Sequence, residues 1–207
     1  MSTELSVLIR IVDDDPTVCE AQSFFLQMAG FDVVSYSNPK DFLAKDDRSR
    51  PGCMILDVRM PEMSGLELQM EMKRQAIDLP IIFLSAHGDI EMAIDCVQKG
   101  AFNFLVKPPV PEKLLELVED AVKKNRQDRR QAQYVAQLRA QLETLTPAER
   151  QVAVMIAKGL TNKVVAETLG VSERTVQTQR ANVYAKLDCE NAVEVAEFLH
   201  EAEGVSQ

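Results

Sequence analysis

The 207-residue sequence predicts an α/β module on a doubly wound, five-stranded parallel sheet, followed by a helical linker and an all-α module of four helices. Three observations carry that expectation. Short apolar runs alternate with helical patterns five times in the first 125 residues, as βα units do. Residues 112–146 hold neither Pro nor Gly, and their Ala, Gln and Arg content suits a continuous helix. Beyond residue 144, capping residues and glycines punctuate short helical segments.

Val7–Val12 reads as a first strand and runs into Asp13-Asp14-Asp15-Pro16. Pro16 suits the first turn of a helix over Thr17–Ala29, stopped by Gly30. Phe31–Tyr36 is a second strand, and Asn38-Pro39 opens a short helix through Phe42 and Leu43. Residues 48–52 form a loop. The run Met54-Ile-Leu has the pattern of a strand buried on both faces and ends in a carboxylate, Asp57. A turn through Pro61 leads to a helix over Gly65–Gln75. Leu79–Leu84 is a fourth strand ending at Ser85, and Ile90–Lys99 is a helix closed by Gly100. Asn103–Val106 is a fifth strand ending at Lys107-Pro108, and Glu112 begins the fifth helix.

Composition bounds the function classes. Hydrophobic content of 46% and charged content of 27% are ordinary for a soluble protein. No run of about 18 apolar residues is present and the N-terminus lacks a secretory pattern, so a cytoplasmic protein without a membrane partner is expected. Cys19, Cys53, Cys96 and Cys189 show no CxxC spacing and are expected to be buried free thiols. The net charge of −9 is unevenly spread. The first 125 residues and the last 20 are acidic, whereas the stretch between them is basic, which suggests two modules with different partners.

In a doubly wound parallel sheet the carboxyl ends of all strands line one edge, where ligands bind. That edge would collect Asp13 and Asp14, Asp57, Ser85 and Lys107. Three carboxylates in one small site repel one another unless a cation is present, and oxygen donors of this kind suit Mg²⁺. A carboxylate, a divalent cation, a hydroxyl and an ammonium are what phosphoryl transfer to an aspartate requires. Asp57 would attack, Mg²⁺ and Lys107 would neutralise the equatorial oxygens, and Ser85 would donate a hydrogen bond to one of them.

Residues 5–125 resemble the receiver domain of bacterial two-component response regulators, a flavodoxin-like fold. The matching residues are Val-Asp-Asp-Asp-Pro at 12–16, Leu-Asp-Val-Arg-Met-Pro-Glu-Met-Ser-Gly at 56–65, Leu-Ser-Ala-His-Gly-Asp at 84–89 and Lys-Pro at 107–108. The resemblance implies that Asp57 is the phosphoacceptor, with Asp13, Asp14, Asp57 and the Arg59 carbonyl on Mg²⁺. It implies a switch pair of Ser85 and Phe104, the hydroxyl on phosphate and the ring turning inward, and a cis peptide at Lys107-Pro108. From the residues alone, Phe104 fits simple core packing equally well. Asp15 reads as a solvated acid at a helix start, and His87 as loop surface near the site.

The linker, residues 126–143, carries Tyr134, Leu138 and Leu142 at spacing four. That stripe would either pair with a second copy as a short coiled coil or dock on the chain's own domains.

In the second module, Thr146-Pro147-Ala-Glu149 is a capping box opening a helix that stops at Gly159. Thr161 caps a helix over Asn162–Leu169, Gly170 makes a tight turn, and Ser172 caps a third helix over Glu173–Leu187. That is helix-turn-helix geometry, whose second helix enters the major groove. Residues 144–199 resemble the LuxR-type helix-turn-helix of NarL/FixJ-type regulators. The resemblance rests on Leu145-Thr-Pro-Ala-Glu, Lys158-Gly-Leu-Thr-Asn-Lys, Ala166-Glu-Thr-Leu-Gly-Val-Ser-Glu-Arg-Thr-Val and Lys186-Leu. Val176 and Val183 would pack inward while Gln177, Thr178 and Ala181 face DNA, Gln177 suiting adenine and Thr178 a thymine methyl or phosphate. Lys163, Arg174, Thr175 and Lys186 read as phosphate contacts. Arg180 would reach either phosphate or Glu149. Two positions depart from the family pattern: Gln179 stands where His is usual, and Asp188 where Gly is frequent.

The expected whole is a FixJ-like response regulator. A sensor histidine kinase would phosphorylate Asp57. The receiver would dimerise through its fourth helix, fifth strand and fifth helix, and the C-terminal module would bind promoter DNA and recruit RNA polymerase. The domains would be receiver 5–125, linker 126–143 and DNA-binding domain 144–207, with no turnover enzyme. A phosphoaspartate hydrolase is disfavoured because Arg59 stands where such enzymes place a second acid. A protein-interaction adaptor without DNA binding is the other rival.

Overall fold

The structure is a computed structural model that describes residues 6–86 and 90–204, with backbone only for residues 90–93. His87, expected on the loop surface, lies outside the described residues. The chain divides into two compact units, Met1–Arg129 and Arg130–Gln207.

The first unit alternates strand and helix: β1 (Leu8–Val12), α1 (Pro16–Met28), β2 (Asp32–Tyr36), α2 (Pro39–Lys45), β3 (Gly52–Asp57), α3 (Gly65–Arg74), β4 (Ile81–Ser85), α4 (Ile90–Gln98), β5 (Asn103–Val106) and α5 (Pro111–Glu143). All strand pairs are parallel, in the order β2-β1-β3-β4-β5. The order reverses at β1, so α1 and α5 cover one face and α2, α3 and α4 the other. Period-two alternation sorts the side chains accordingly. Ile9, Ile11, Cys53, Ile55, Ile82 and Leu84 pack with Leu26 and with Leu114, Leu117, Val118, Ala121 and Val122. Val12, Met54, Leu56 and Phe83 pack with Phe42, Leu68, Met72 and Cys96 on the other face.

Three local outcomes refine the sequence expectations. β3 begins at Gly52, inside the expected loop, where it pairs with Leu8 so closely that a Cβ would lie 1.9 Å from the Leu8 carbonyl oxygen. β4 begins only at Ile81. Pro80 has no N–H to donate to the ladder, although its carbonyl still accepts from Met54 N at 2.9 Å. α5 runs unbroken for 33 residues, so no break separates the expected linker from the last helix of the sheet module.

Arg10 is the one charged residue of the otherwise apolar strand β1. It sits in the middle of β1 and is wholly buried. Its Nε donates to Asp46 Oδ1 at 2.9 Å, Nη1 to the Leu8 carbonyl at 2.9 Å, and Nη2 to the carbonyls of Asp47 and Arg50. Tyr36 Oη donates to the same Asp46 oxygen at 3.1 Å. Burial, reinforced by the Asp46 charge, pushes the Tyr36 hydroxyl up to about 12, so it stays a donor. A buried guanidinium is tolerable because each of its three nitrogens donates a hydrogen bond and its charge meets Asp46, and the same bonds fasten the loop between α2 and β3. All four cysteines are free and buried, as expected, and burial pushes the thiols of Cys19 and Cys53 up to about 11 and about 12.

The second unit comprises the end of α5 with α6 (Pro147–Ala157), α7 (Asn162–Leu169), α8 (Glu173–Leu187) and α9 (Ala192–Ala202). Thr146 and Glu149 form the expected capping box, and the Thr161 and Ser172 side chains accept from the amides of Val164 and Thr175. The core gathers Val152, Ile156, Val165, Val176, Val183, Val195 and Phe198. Leu138 is buried in this core and Leu142 packs against it, while Tyr134 Oη donates to Glu201 and Arg139 Nε donates to the Ala202 carbonyl at 2.9 Å. The apolar stripe of the linker therefore docks on its own unit. No helix among the described residues is long and apolar enough to cross a membrane.

Asp188 closes α8 in the left-handed region, at φ 55 and ψ 44. A Cβ in that conformation costs roughly 1–2 kcal/mol, which Asp partly recovers through its short polar side chain. Asp188→Gly is expected to stabilise the second unit by about 1 kcal/mol, raising its melting temperature by about 4–8 °C. Thermal unfolding of the two proteins followed by circular dichroism checks this.

Candidate phosphoryl site and nucleic-acid interface

The registers bring the strand-end residues together. Val12 pairs with Leu56, Asp57 with Leu84, and Ser85 with Val106, so each chain leaves the sheet at one level. Backbone bonds continue that alignment past the strands: Val58 N donates to the Leu84 carbonyl at 3.1 Å and Lys107 N to the Ser85 carbonyl at 2.8 Å. Lys107-Pro108 is cis, as the resemblance implied.

Lys107 Nζ sits between two carboxylates, 2.6 Å from Asp13 Oδ2 and 2.7 Å from Asp57 Oδ1. Each carboxylate has a second anchor. Asp13 Oδ1 accepts from Asp15 N at 3.0 Å, and Asp57 Oδ2 from Arg59 N at 2.9 Å. Asp13 and Asp57 are buried while Asp14 is exposed, and one oxygen from each of the three lies within 4.8 Å of the others. This set of hard oxygen donors fits a divalent cation such as Mg²⁺. Burial pushes the Asp57 carboxyl up, against the hydrogen bond and charge of Lys107, and the net direction is upward. Burial alone would lower the Lys107 ammonium, but the hydrogen bonds and charges of Asp13 and Asp57 outweigh it and hold it above its ordinary value. Both directions reflect a half-enclosed site with more negative charge than its one lysine balances.

Ser85, buried, ends β4, and Phe104 on β5 pairs in register with Phe83 and is half-buried against the core. Gly65 opens α3 directly beneath the site. Its N donates to the Val58 carbonyl at 3.0 Å, and a Cβ there would lie 2.2 Å from the Asp57 carbonyl oxygen. Glycine therefore holds α3 close under the Asp57 loop. Asp15 caps α1, its side chain accepting from Thr17 N at 2.8 Å, as a helix-start acid does.

In the second unit, α7, a turn at Gly170 and α8 form the helix-turn-helix. Gly170 takes the left-handed conformation at φ 68. Val176 and Val183 are fully buried, while Lys163, Arg174, Thr175, Gln177, Thr178 and Ala181 are exposed. Thr175 Oγ1 lies 2.8 Å from Ser172 Oγ, and Thr178 Oγ1 donates to the Arg174 carbonyl at 3.1 Å. Gln179 is half-buried, with its Oε1 turned inward and accepting no hydrogen bond.

Lys186 differs from its expected place. It is turned toward the protein, with Nζ 2.6 Å from Glu149 Oε2 and 3.1 Å from the Thr144 carbonyl, tying the end of α8 to the start of α6. Glu149 was the alternative partner for Arg180. With Lys186 on Glu149, Arg180 instead donates to the Leu160 carbonyl and to Tyr184 Oη, with its guanidinium 5.6 Å from the Tyr184 ring centre. The helical turn decides the exchange: residue 186 comes round to the α6 side, where an ammonium finds both a carboxylate and a carbonyl.

Residues 9–119 match the family model of the response regulator receiver domain, and residues 143–199 that of bacterial regulatory proteins of the luxR family. The chain is 40% identical over 205 residues to the response regulator protein TodT of Pseudomonas putida, covering 98% of this chain and 90% of the relative. It is 32% identical to the transcriptional regulatory protein FixJ of Bradyrhizobium diazoefficiens, over 94% of this chain and 95% of that one. Among solved structures, response regulator StyR aligns with a TM-score of 0.85 at 34% identity, over 95% of this chain and 99% of its own. This chain is a DNA-binding response regulator of the two-component family. Its first unit is the receiver, and its second carries the LuxR-type DNA-binding module.

The Lys186 hydrogen bond, first among several influences, holds the Glu149 carboxyl down at about 2 from an ordinary 4.5. The folded state thus favours ionised Glu149. That stabilisation is complete above about pH 4.5 and is lost as the pH falls toward about 2. Lys186→Met is expected to lower the melting temperature of the second unit at pH 6, with the gap to wild type closing between pH 4.5 and about 2. Calorimetry across that window measures the gap; one that stays constant would refute the pairing.

Proposed function

We propose that Asp57 accepts a phosphoryl group from a sensor histidine kinase and that this event controls promoter binding by the second unit. The observation that carries the reading is Lys107 Nζ placed between Asp57 and Asp13, with Asp14 beside them. In the transfer, an Asp57 oxygen forms the bond to phosphorus while the phosphorus–nitrogen bond of the phosphohistidine breaks, and the electron pair leaves with the imidazole. Asp13, Asp14, Asp57 and the Arg59 carbonyl would hold Mg²⁺, which when bound neutralises phosphoryl oxygens. Lys107 would move its charge onto the new phosphate, Ser85 would donate to one of its oxygens, and Phe104 would turn inward behind Ser85.

A phosphorylation-dependent homodimer through α4, β5 and α5 fits the apolar side chains exposed along that face: Ile94, Val97 and Val106, with Val110 just before α5. Two copies would present two recognition helices to paired half-sites, compensating for the weak positive charge of a single module. Gln177, Thr178 and Ala181 would face bases, Lys163, Arg174, Thr175 and Arg180 phosphates, and Lys186 would act by holding α8 against α6. Recruitment of RNA polymerase in the cytoplasm completes the reading.

Two measurements test it. Sedimentation with Mg²⁺ and beryllofluoride is expected to give a dimer, and Asp57→Ala or removal of Mg²⁺ a monomer. A mass unchanged by the mimic would sink the dimerisation step. In retention assays on promoter fragments, Lys163→Ala is expected to weaken binding on all sequences and flatten the salt dependence. Gln177→Ala should instead cost roughly 1–3 kcal/mol at one base position. Unchanged retention by both variants would favour a protein-binding role.

A further inference from the structure

The last turn of α5 carries no basic side chain and ends on an acid, Glu143. Carbonyls at a helix C-terminus lack partners within the helix and form its negative pole, which a cation stabilises. Here the cations come from two other helices. The Leu142 carbonyl accepts from Arg150 Nη2 at 3.0 Å, reaching back from the first turn of α6. The Thr144 carbonyl accepts from Lys186 Nζ at 3.1 Å, in the last turn of α8. The Gln141 carbonyl is closed locally, by Thr144 N at 3.0 Å and Thr144 Oγ1 at 2.7 Å.

Apolar packing follows the same path. Leu138 and Leu145 are buried in the core that also holds Val176, Val183 and Leu187 of α8, and Leu142 packs against it. Gln177, Thr178 and Ala181 lie on the exposed face of α8, one to two turns before Lys186. Hydrogen bonds to base edges hold only within about 2.7–3.2 Å. Long basic side chains follow a phosphate over a wider range. A small swing of α8 therefore costs base readout before it costs attachment to the DNA backbone.

We propose that Arg150 and Lys186 are positioning residues for DNA recognition, which bind α6 and α8 to the C-terminal end of α5 so that the recognition helix takes its bearing from that end. The last turn of α5 is then a working part of the DNA-binding module. This extends the role given to Lys186 above and rests on α8 being the recognition helix. It is independent of whether Asp57 is the phosphoacceptor.

The test compares specific with non-specific binding by the full-length protein, at a temperature where circular dichroism shows every variant folded. The probes are a duplex that the wild type selects from a random-sequence pool and a duplex of scrambled sequence, each titrated across salt. Arg150→Met and Lys186→Met are each expected to lower the ratio of selected to scrambled affinity about fivefold, with the scrambled affinity and its salt slope at wild-type values. Arg150 is exposed, so its variant leaves the core intact. Arg150→Lys, which can still give one charged hydrogen bond to the Leu142 carbonyl, is expected to restore the ratio. A purely stabilising role would lower both affinities together and keep the ratio, and that result overturns the proposal. So does a flattened salt slope in Lys186→Met, which would make Lys186 a phosphate contact. Lys163→Ala, measured beside them, is expected to flatten that slope. If it too matches wild type, the reading of the helix-turn-helix surface fails, and the proposal with it.

Discussion

The strand registers are the constraint on which the rest of the receiver depends. Because every strand is parallel, every carboxyl end falls on one edge, and the pairings of Val12 with Leu56, Asp57 with Leu84 and Ser85 with Val106 set those ends level. A slip of one residue would turn each side chain to the opposite face and would carry Asp57 into the core. The apolar faces of Met54, Ile55 and Leu56 forbid that slip, since each fills a core already packed on its side. Packing thus fixes the position of a carboxylate that contributes little packing itself.

Charge is handled in the two units by different means. The receiver buries Arg10 completely and matches its donors with Asp46 and three carbonyls, which organises a loop at the end of the sheet away from Asp57. At the Asp57 end the match is left incomplete: one lysine serves two buried carboxylates beside an exposed third. In the Arg10 cluster the guanidinium charge is balanced by the Asp46 carboxylate, whereas a site with excess negative charge is disposed to take a cation and, with it, a phosphoryl group. In the DNA-binding unit, Glu149 and Lys186 tie α6 to α8, so the orientation of the recognition helix depends on a pair remote from the exposed face of Gln177 and Thr178.

The same division of labour shapes α5. Its first part is an element of the sheet module and its last part an element of the helical module, each held by apolar burial and a few hydrogen bonds. Docking of Leu138 and Leu142 on their own unit answers the choice that the spacing of Tyr134, Leu138 and Leu142 left open. A stripe of three positions is too short to sustain a coiled coil but enough to seat one helix end on a bundle. On the proposed reading, association then falls to the receiver face of α4, β5 and α5.

The sequence by itself determined the order of the βα units, the caps at Asn38, Thr146, Thr161 and Ser172, and the set of strand-end residues that the structure brings together. These are local signals, written in periodicity or within three residues of a helix start. Only the tertiary structure decided that Arg10 is buried, that Lys186 rather than Arg180 takes Glu149, and that Lys186 also reaches Thr144 at the end of the long helix. Each of those depends on a partner dozens of positions away, Asp46 from Arg10 and Glu149 from Lys186 among them. Residue type and spacing say that a charged group needs a partner; which partner it meets is settled when the chain packs.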